Sequence, residues 1–288
     1  MNWWKKLTLS SVGMLFLVLG EGMRECRRFR VTHYTPGTSE KNPGSPAEQR
    51  IVFLSDLHNQ VYGSRNDILL EEIRKQEPGL ILIGGDMLIG KKNTSPAHAL
   101  ELIRRLPEIA PVYYALGNHE QRLKNCVEKY GDVMYYYRKE LTAAGVHFLE
   151  NESAHVSLSG RELRITGLAL PLGSYEKKHT PVTAGKIEKL AGPSDEACYQ
   201  ILLAHNPGYV AAYKEWGADL VLCGHLHGGV MRIPGWRGVV TPQASLFPKY
   251  SGEMTVEGDT VVVVSKGLGT HTVNLRVFNP AEVVVIHL

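Results

Sequence analysis

The amino-acid sequence predicts an α/β protein in which two mixed β-sheets pack face to face and are flanked by helices, a four-layer αββα sandwich. Three features carry that expectation. From Ile51 onward, short aliphatic runs alternate with stretches of helical spacing, the pattern of sheets covered by helices. Runs such as IVFLS, GLILIG and YQILLA are apolar almost throughout rather than at alternate positions, as strands buried on both faces are. The second half of the chain has more strand-like runs per helical stretch than the first, which calls for a second sheet.

Taken in order, the first 30 residues stand apart. A basic start precedes an apolar run from Leu7 to Gly20, and Arg24, Arg27, Arg28 and Arg30 follow it. That run is shorter than the roughly 20 residues of a full span, and Trp3, Trp4 and Met23 can extend it into the interface. There is no A-x-A cleavage motif, so residues 1–30 read as an uncleaved signal anchor. The arginine excess over Lys5 and Lys6 mildly favours a domain on the cytoplasmic face. The alternative is an apolar first helix docked on the domain. Residues 31–50, rich in Pro, Gly, Ser and charge, read as a flexible linker, and residues 51–288 as the domain proper.

Within that domain IVFLS is a strand, NDILLEEIRKQ a helix, GLILIG a strand, PAHALELIRRL a helix and PVYYAL a strand; a longer helix covers Val133 to Ala144. A second set follows: ELRITGLAL, YQILLAH, ADLVLCG, TVVVVSKG and EVVVIHL as strands, and PGYVAAYKEW as a helix. Apolar residues make up 43% of 288, enough for one large core, and the net charge of +3 gives no basic field to make nucleic acid the main partner. The four cysteines form no C-x-x-C pair, which excludes a disulfide framework or a zinc knuckle and predicts buried free thiols.

The residues that end the strands are the informative ones. After IVFLS comes Asp56-Leu57-His58; after GLILIG, Gly85-Asp86; after PVYYAL, Gly117-Asn118-His119-Glu120; after YQILLA, His205; after ADLVLC, Gly224-His225-Leu226-His227. Ligand crevices of open α/β sheets lie at the carboxyl ends of strands, so these groups can converge. Oxygen and imidazole donors without thiolate suit zinc, manganese or iron. Two ions about 3.5–4 Å apart can activate a water and clamp the attacking and leaving oxygens of an in-line displacement. Each residue also has a plainer reading: Asp56 as a turn cap, Asn118 as half of an ordinary Gly-Asn turn, His205 as a satisfied histidine at a helix start.

The ordered set D-x-H, G-D, G-N-H-E, H and G-H-x-H resembles the calcineurin-like metallophosphoesterase superfamily over roughly Arg50 to Leu288. The tail further resembles a membrane-anchored branch that includes phosphodiesterases and UDP-2,3-diacylglucosamine pyrophosphatases. The resemblance implies two divalent ions (Mn, Zn or Fe), one held by Asp56, His58, Asp86 and His227 and the other by Asp86, Asn118, His205 and His225, with Asp86 bridging. It implies His119 as the catalytic group facing the phosphate, and hydrolysis of phosphodiester, phosphomonoester or pyrophosphate bonds, lipid-linked substrates such as UDP-diacylglucosamine included. Two departures stand out: no second acid follows Gly85-Asp86, and Val230 follows the HGG sequence. Glu120 is left outside the catalytic set, and His271 is a weaker substrate contact. The segments MRIPGWRGVV and SLFPKY offer Arg232, Trp236, Arg237, Phe247 and Lys249 as an amphipathic rim for a lipid surface. The alternative function is a catalytically silent scaffold of the same fold that binds a protein partner at the membrane; this chain keeps every ligand position, which argues against it.

Overall fold

Apolar runs that emerge in register carry the architecture. The structure, a computed structural model, describes residues 13, 18–37, 49–176, 181–233, 238–240, 246–270 and 274–288. The first sheet has the order β1 (Phe29–Tyr34), β14 (Ala281–His287), β2 (Arg50–Leu54), β3 (Leu80–Ile83), β4 (Val112–Ala115), β5 (Val146–Leu149). Strands β2 to β5 run parallel, with Leu54 opposite Ile83 and Ile83 opposite Tyr114, so their carboxyl ends finish side by side. The second sheet has the order β12 (Met254–Glu257), β13 (Thr260–Val264), β9 (Leu220–Cys223), β8 (Tyr199–Ala204), β7 (Arg161–Leu168), β6 (Glu152–Leu158). Its inner four strands are parallel, and β6 and β12 pair antiparallel at the edges. A short ribbon, β10 (Met231–Arg232) with β11 (Gly238–Val240), stands apart.

Alternation along the strands sorts side chains into layers. Ile51, Phe53, Leu80 and Leu82 meet Ile165, Ile201, Leu203 and Leu222 between the sheets. The opposite face of the first sheet, with Val52, Leu54, Ile81 and Ile83, packs on α2 (Asp67–Lys75), α3 (Ala97–Ile103) and α6 (Val133–Ala143) through Leu69, Ile73, Leu102 and Leu141. The outer face of the second sheet, with Leu202, Val221 and Val262, packs on α7 (Ala184–Ala191) and α8 (Val210–Trp216) through Ile187, Tyr213 and Trp216. Each fully buried aliphatic contributes about 1.5–3 kcal/mol relative to exposure, and the result is the four-layer αββα sandwich expected from the sequence.

Two expectations are revised. Residues 31–34, read as linker, are strand: β1 pairs parallel with β14 from Phe29 opposite Ala281 to Tyr34 opposite Ile286, and Thr32 Oγ1 donates to Glu282 Oε2 at 2.8 Å. The arginines around this run hid its strand character. The preceding helical turns over 18–25 (α1) dock on the domain, where Glu25 is buried and its Oε2 accepts from the N–H of Asn279 at 2.6 Å. Most of the apolar run from Leu7, and most of the rest of the expected linker, lie outside the described residues, among which no helix is long and apolar enough to cross a membrane. The four thiols are free as expected, but only Cys223 is buried.

Candidate metal centre

The strand ends bring the five sequence clusters together through left-handed backbone at residues other than glycine. Asp56, His58, Asp86, His225 and His227 all have positive φ, between 46° and 72°, a conformation costing roughly 1–3 kcal/mol per non-glycine residue. Cross-strand hydrogen bonds hold the strain: Asp56 N–H donates to Gly85 O at 2.9 Å, His58 N–H to Asp86 O at 3.1 Å, and Gly224 N–H to His205 O at 3.1 Å. Gly117 is required for a different reason, since a Cβ there would overlap the Asp86 side chain and backbone.

The side chains converge as two donor sets. Asp56, His58 and His227 offer one ligand atom each within 4.8 Å of one another, and so do Asp86, His205 and His225. Asp86 stands between them, its Oδ2 lying 3.1 Å from His205 Nε2, 3.9 Å from His119 Nε2 and 4.0 Å from His58 Nε2. The imidazoles are oriented by their other nitrogens: Nδ1 of His58 reaches Leu88 O at 3.2 Å, that of His205 reaches Gly84 O at 2.8 Å, and that of His227 reaches Gly269 O at 3.1 Å. A carbonyl can only accept, so these Nδ1 atoms carry a proton, and in the neutral ring the Nε2 lone pair faces inward, as a metal-binding histidine requires. Asn118 Oδ1 is buried without a hydrogen-bond partner among the described residues, an acceptor that fits a cation.

His119 is wired the opposite way. Its Nδ1 accepts from the N–H of Gly90 at 2.7 Å, so the proton of the neutral ring sits on Nε2. In that tautomer the inward nitrogen is a proton donor, although His119 also stands with His58 and Asp86 in a third group whose ligand atoms lie within 4.8 Å of one another.

The charges follow from burial and proximity. Burial, then the neighbouring His205 charge, lowers His225 to about 3; burial, then Arg276, lowers His227 to about 3; and burial, then His227, holds His58 well below its ordinary value. For Asp86, burial opposes ionisation, but His205 and then His119 hold the carboxyl well below the usual range. Burial also opposes charge on His205, yet Asp86 and then Asp56 carry it up to about 10. Carboxylates and mostly neutral imidazoles are the protonation states in which such groups bind metal.

Glu120 matters more than its sequence reading allowed. It is fully buried; its Oε2 accepts from Asp86 N–H at 2.8 Å and Gly117 N–H at 3.0 Å, and its Oε1 from Leu88 N–H at 2.9 Å and Tyr114 O–H at 3.1 Å. It is the third residue of α4 (Asn118–Asn125) and reaches back to the residue before the helix, a capping signal that could have been read from G-N-H-E. This side chain answers the missing second acid after Gly85-Asp86. Burial and then the Asp86 charge push its carboxyl up to about 7, against the pull of the Leu88 and Asp86 N–H groups. Asn279 was also missed: its Nδ2 donates to His227 O at 2.7 Å and Gly229 O at 2.6 Å, fastening the last metal loop to the residue that α1 holds through Glu25.

Of the expected rim, Phe247 and Lys249 are exposed, whereas Arg232 is buried and paired with Glu253 at 2.9 Å. Trp236, Arg237 and His271 lie outside the described residues.

Residues 49–229 match the family model described as calcineurin-like phosphoesterase. The chain is 26% identical over 243 residues to the phosphodiesterase YaeI of Escherichia coli (strain K12), covering 83% of this chain and 82% of that one. It is 28% identical over 245 residues to the metallophosphoesterase YkuE of Bacillus subtilis (strain 168), covering 83% and 78%. Among solved structures it is similar to the sulfate thiohydrolase SoxB of Thermus thermophilus, with a TM-score of 0.50 and 12% identity over 85% of this chain and 57% of that one, a likeness of fold.

The Glu120 contacts give a direct expectation. Glu120→Gln keeps the volume but replaces one acceptor oxygen with a donor aimed at backbone N–H groups, so metal affinity should fall by about 10–100-fold while the circular dichroism spectrum is unchanged. Unaltered affinity in a metal titration would show that the carboxylate does not position Asp86.

Proposed function

This chain belongs to the calcineurin-like phosphoesterase family, a metal-dependent phosphoester hydrolase, and we propose that it cleaves phosphodiester or pyrophosphate bonds at two divalent ions that share Asp86. The observation that carries this reading is the placing of one carboxylate oxygen between both donor sets. Asp56, His58, Asp86 and His227 would hold one ion; Asp86, Asn118, His205 and His225 the other. The inward Nε2 atoms and the unpartnered Asn118 Oδ1 support that division.

When bound, the pair supplies positive charge to the phosphoryl oxygens and lowers the pKa of a coordinated water. The chain's own part is positioning and proton delivery. Leu88, Gly84 and Gly269 carbonyls fix the imidazoles, and Glu120 fixes the Asp86 loop. Gly90 N–H keeps the His119 proton on Nε2, 3.9 Å from Asp86 Oδ2, where it can be given to a leaving oxygen. His119→Ala should therefore keep its metal content but lose about 10²–10⁴ in turnover of a diester with a poor, alkoxide leaving group, and much less with a p-nitrophenolate leaving group. Equal losses on both, or loss of metal by elemental analysis, would remove the proton-donor role.

A lipid-linked substrate is the finer reading. It is supported by Met231, Ile233, Leu246 and Phe247, which are exposed on the segments that follow the metal loop, and by the apolar run from Leu7 as a membrane attachment. An acylated nucleotide-sugar pyrophosphate in vesicles should be cleaved with higher kcat/KM than a soluble nucleotide diester, and Phe247→Ser should lower only the vesicle rate. Preference for the soluble diester would remove the lipid reading and leave the hydrolase intact.

A further inference from the structure

We propose that His155, Asp195 and Cys198 form a separate binding site for one transition-metal ion of the zinc class, at the far end of the second sheet from the catalytic centre. The three residues offer ligand atoms all within 4.8 Å of one another. Cys198 directly precedes β8, and His155 lies on the edge strand β6 opposite Arg164, which is itself opposite Gln200. His205 directly follows the last residue of the same strand, so at about 3.3 Å per residue the two sites are roughly 20 Å apart.

Geometry is the first argument. Around a tetrahedral zinc ion, bond lengths of about 2.3 Å to sulfur and about 2.0–2.1 Å to nitrogen or oxygen put sulfur about 3.6 Å from nitrogen and about 3.5 Å from oxygen. Cys198 Sγ lies 3.8 Å from His155 Nδ1 and 3.5 Å from Asp195 Oδ2. The donors are thus at ligand spacing with little rearrangement. A thiolate, an imidazole and a carboxylate select a borderline-soft ion over magnesium or calcium.

The loop that carries two of the donors is already fixed. Asp195 Oδ1 accepts from Ala197 N–H at 3.0 Å, Cys198 N–H donates to Asp195 O at 3.3 Å, and the buried Gln200 donates from Nε2 to Asp195 O at 2.6 Å. Beside it opens a cavity of about 400 Å³, lined by Asp195, Glu196, Asp219 and Asp259 against a single base, Lys214. That balance of charge draws cations toward Asp195. The opposing charge that acts on Asp195, Arg164, has its Nη1 engaged at 2.6 Å with Pro193 O. The same three residue types could make a cysteine nucleophile, but here the thiol donates to Asp195 rather than to the imidazole. Burial and then that hydrogen bond raise the thiol above its ordinary value, which is opposite to activation. Metal binding displaces the thiol proton and clasps the edge strand β6 to the turn before β8.

Cobalt(II) titration of the full chain reads this site independently of hydrolysis. The catalytic donors are nitrogen and oxygen, so a thiolate-to-cobalt charge-transfer band in the near ultraviolet reports Cys198. The expected result is a saturable band in the wild type that is absent in Cys198→Ser, is at least tenfold weaker in apparent affinity in His155→Ala, and is displaced by zinc. Cleavage of bis(p-nitrophenyl) phosphate should be unchanged in both variants. No band at saturating cobalt, or a band that survives Cys198→Ser, overturns the proposal, and the wild-type spectrum alone decides should a variant misfold.

Discussion

Burial of two carboxylates side by side is the constraint on which the centre depends. Asp56 and Asp86 are 0% and 2% exposed, and removing such groups from water costs several kcal/mol each even after relaxation. Local donors offset part of that: His225 N–H and Ser55 O–H to Asp56, and His119 N–H to Asp86 at 2.8 Å. What the donors leave uncovered on Asp56 faces Nε2 of His58 and His227, whose ring protons are committed to carbonyls behind them. Lone pairs facing lone pairs repel, and His58 Nε2 and His227 Nε2 stand only 3.2 Å apart. A cation held between them would turn this repulsion into coordination. The left-handed backbone at five of these residues is the conformational cost of aiming them there.

The two sheets make that cost tolerable. Parallel register ends β2, β3 and β4 at one level on one sheet, and β8 and β9 at one level on the other, so residues far apart in sequence share a rim. Two further side chains lock the rim. Glu120 binds the loop after β3 to the start of α4, which couples Asp86 to Asn118 and His119. Asn279 ties the carbonyls of His227 and Gly229 to the end of the chain, and Glu25 ties Asn279 to α1. The N-terminal helical turns are thereby joined to the loop that carries His225 and His227.

The candidate donors stand out in the sequence because each follows a strand of unbroken apolar residues, and such strands are read with little ambiguity. IVFLS, GLILIG and YQILLA all appear within a residue of their expected limits. Elements with mixed polarity were harder. β1 has arginines about it and was taken for linker; β6 alternates serine, histidine and glutamate at a sheet edge. Positioning residues were the least visible. Glu120 acts chiefly through backbone amides of a distant loop and Asn279 through carbonyls; only the Glu120 contact with Gly117 leaves a local trace, as a helix cap. The cluster at His155 escaped for a related reason: its histidine has no donor beside it in the sequence, its cysteine reads as a buried thiol, and only the pairing of β6 with β7 and of β7 with β8 brings them together.

The central claim is that one carboxylate, Asp86, serves two ions at once. Electron paramagnetic resonance of the manganese-loaded protein tests it most directly, because two Mn(II) ions bridged by a carboxylate are exchange-coupled. The account predicts a multiline spectrum with compressed hyperfine spacing that grows in as the second equivalent binds. A spectrum of isolated Mn(II) at full occupancy, unchanged between the first and second equivalents, would contradict it.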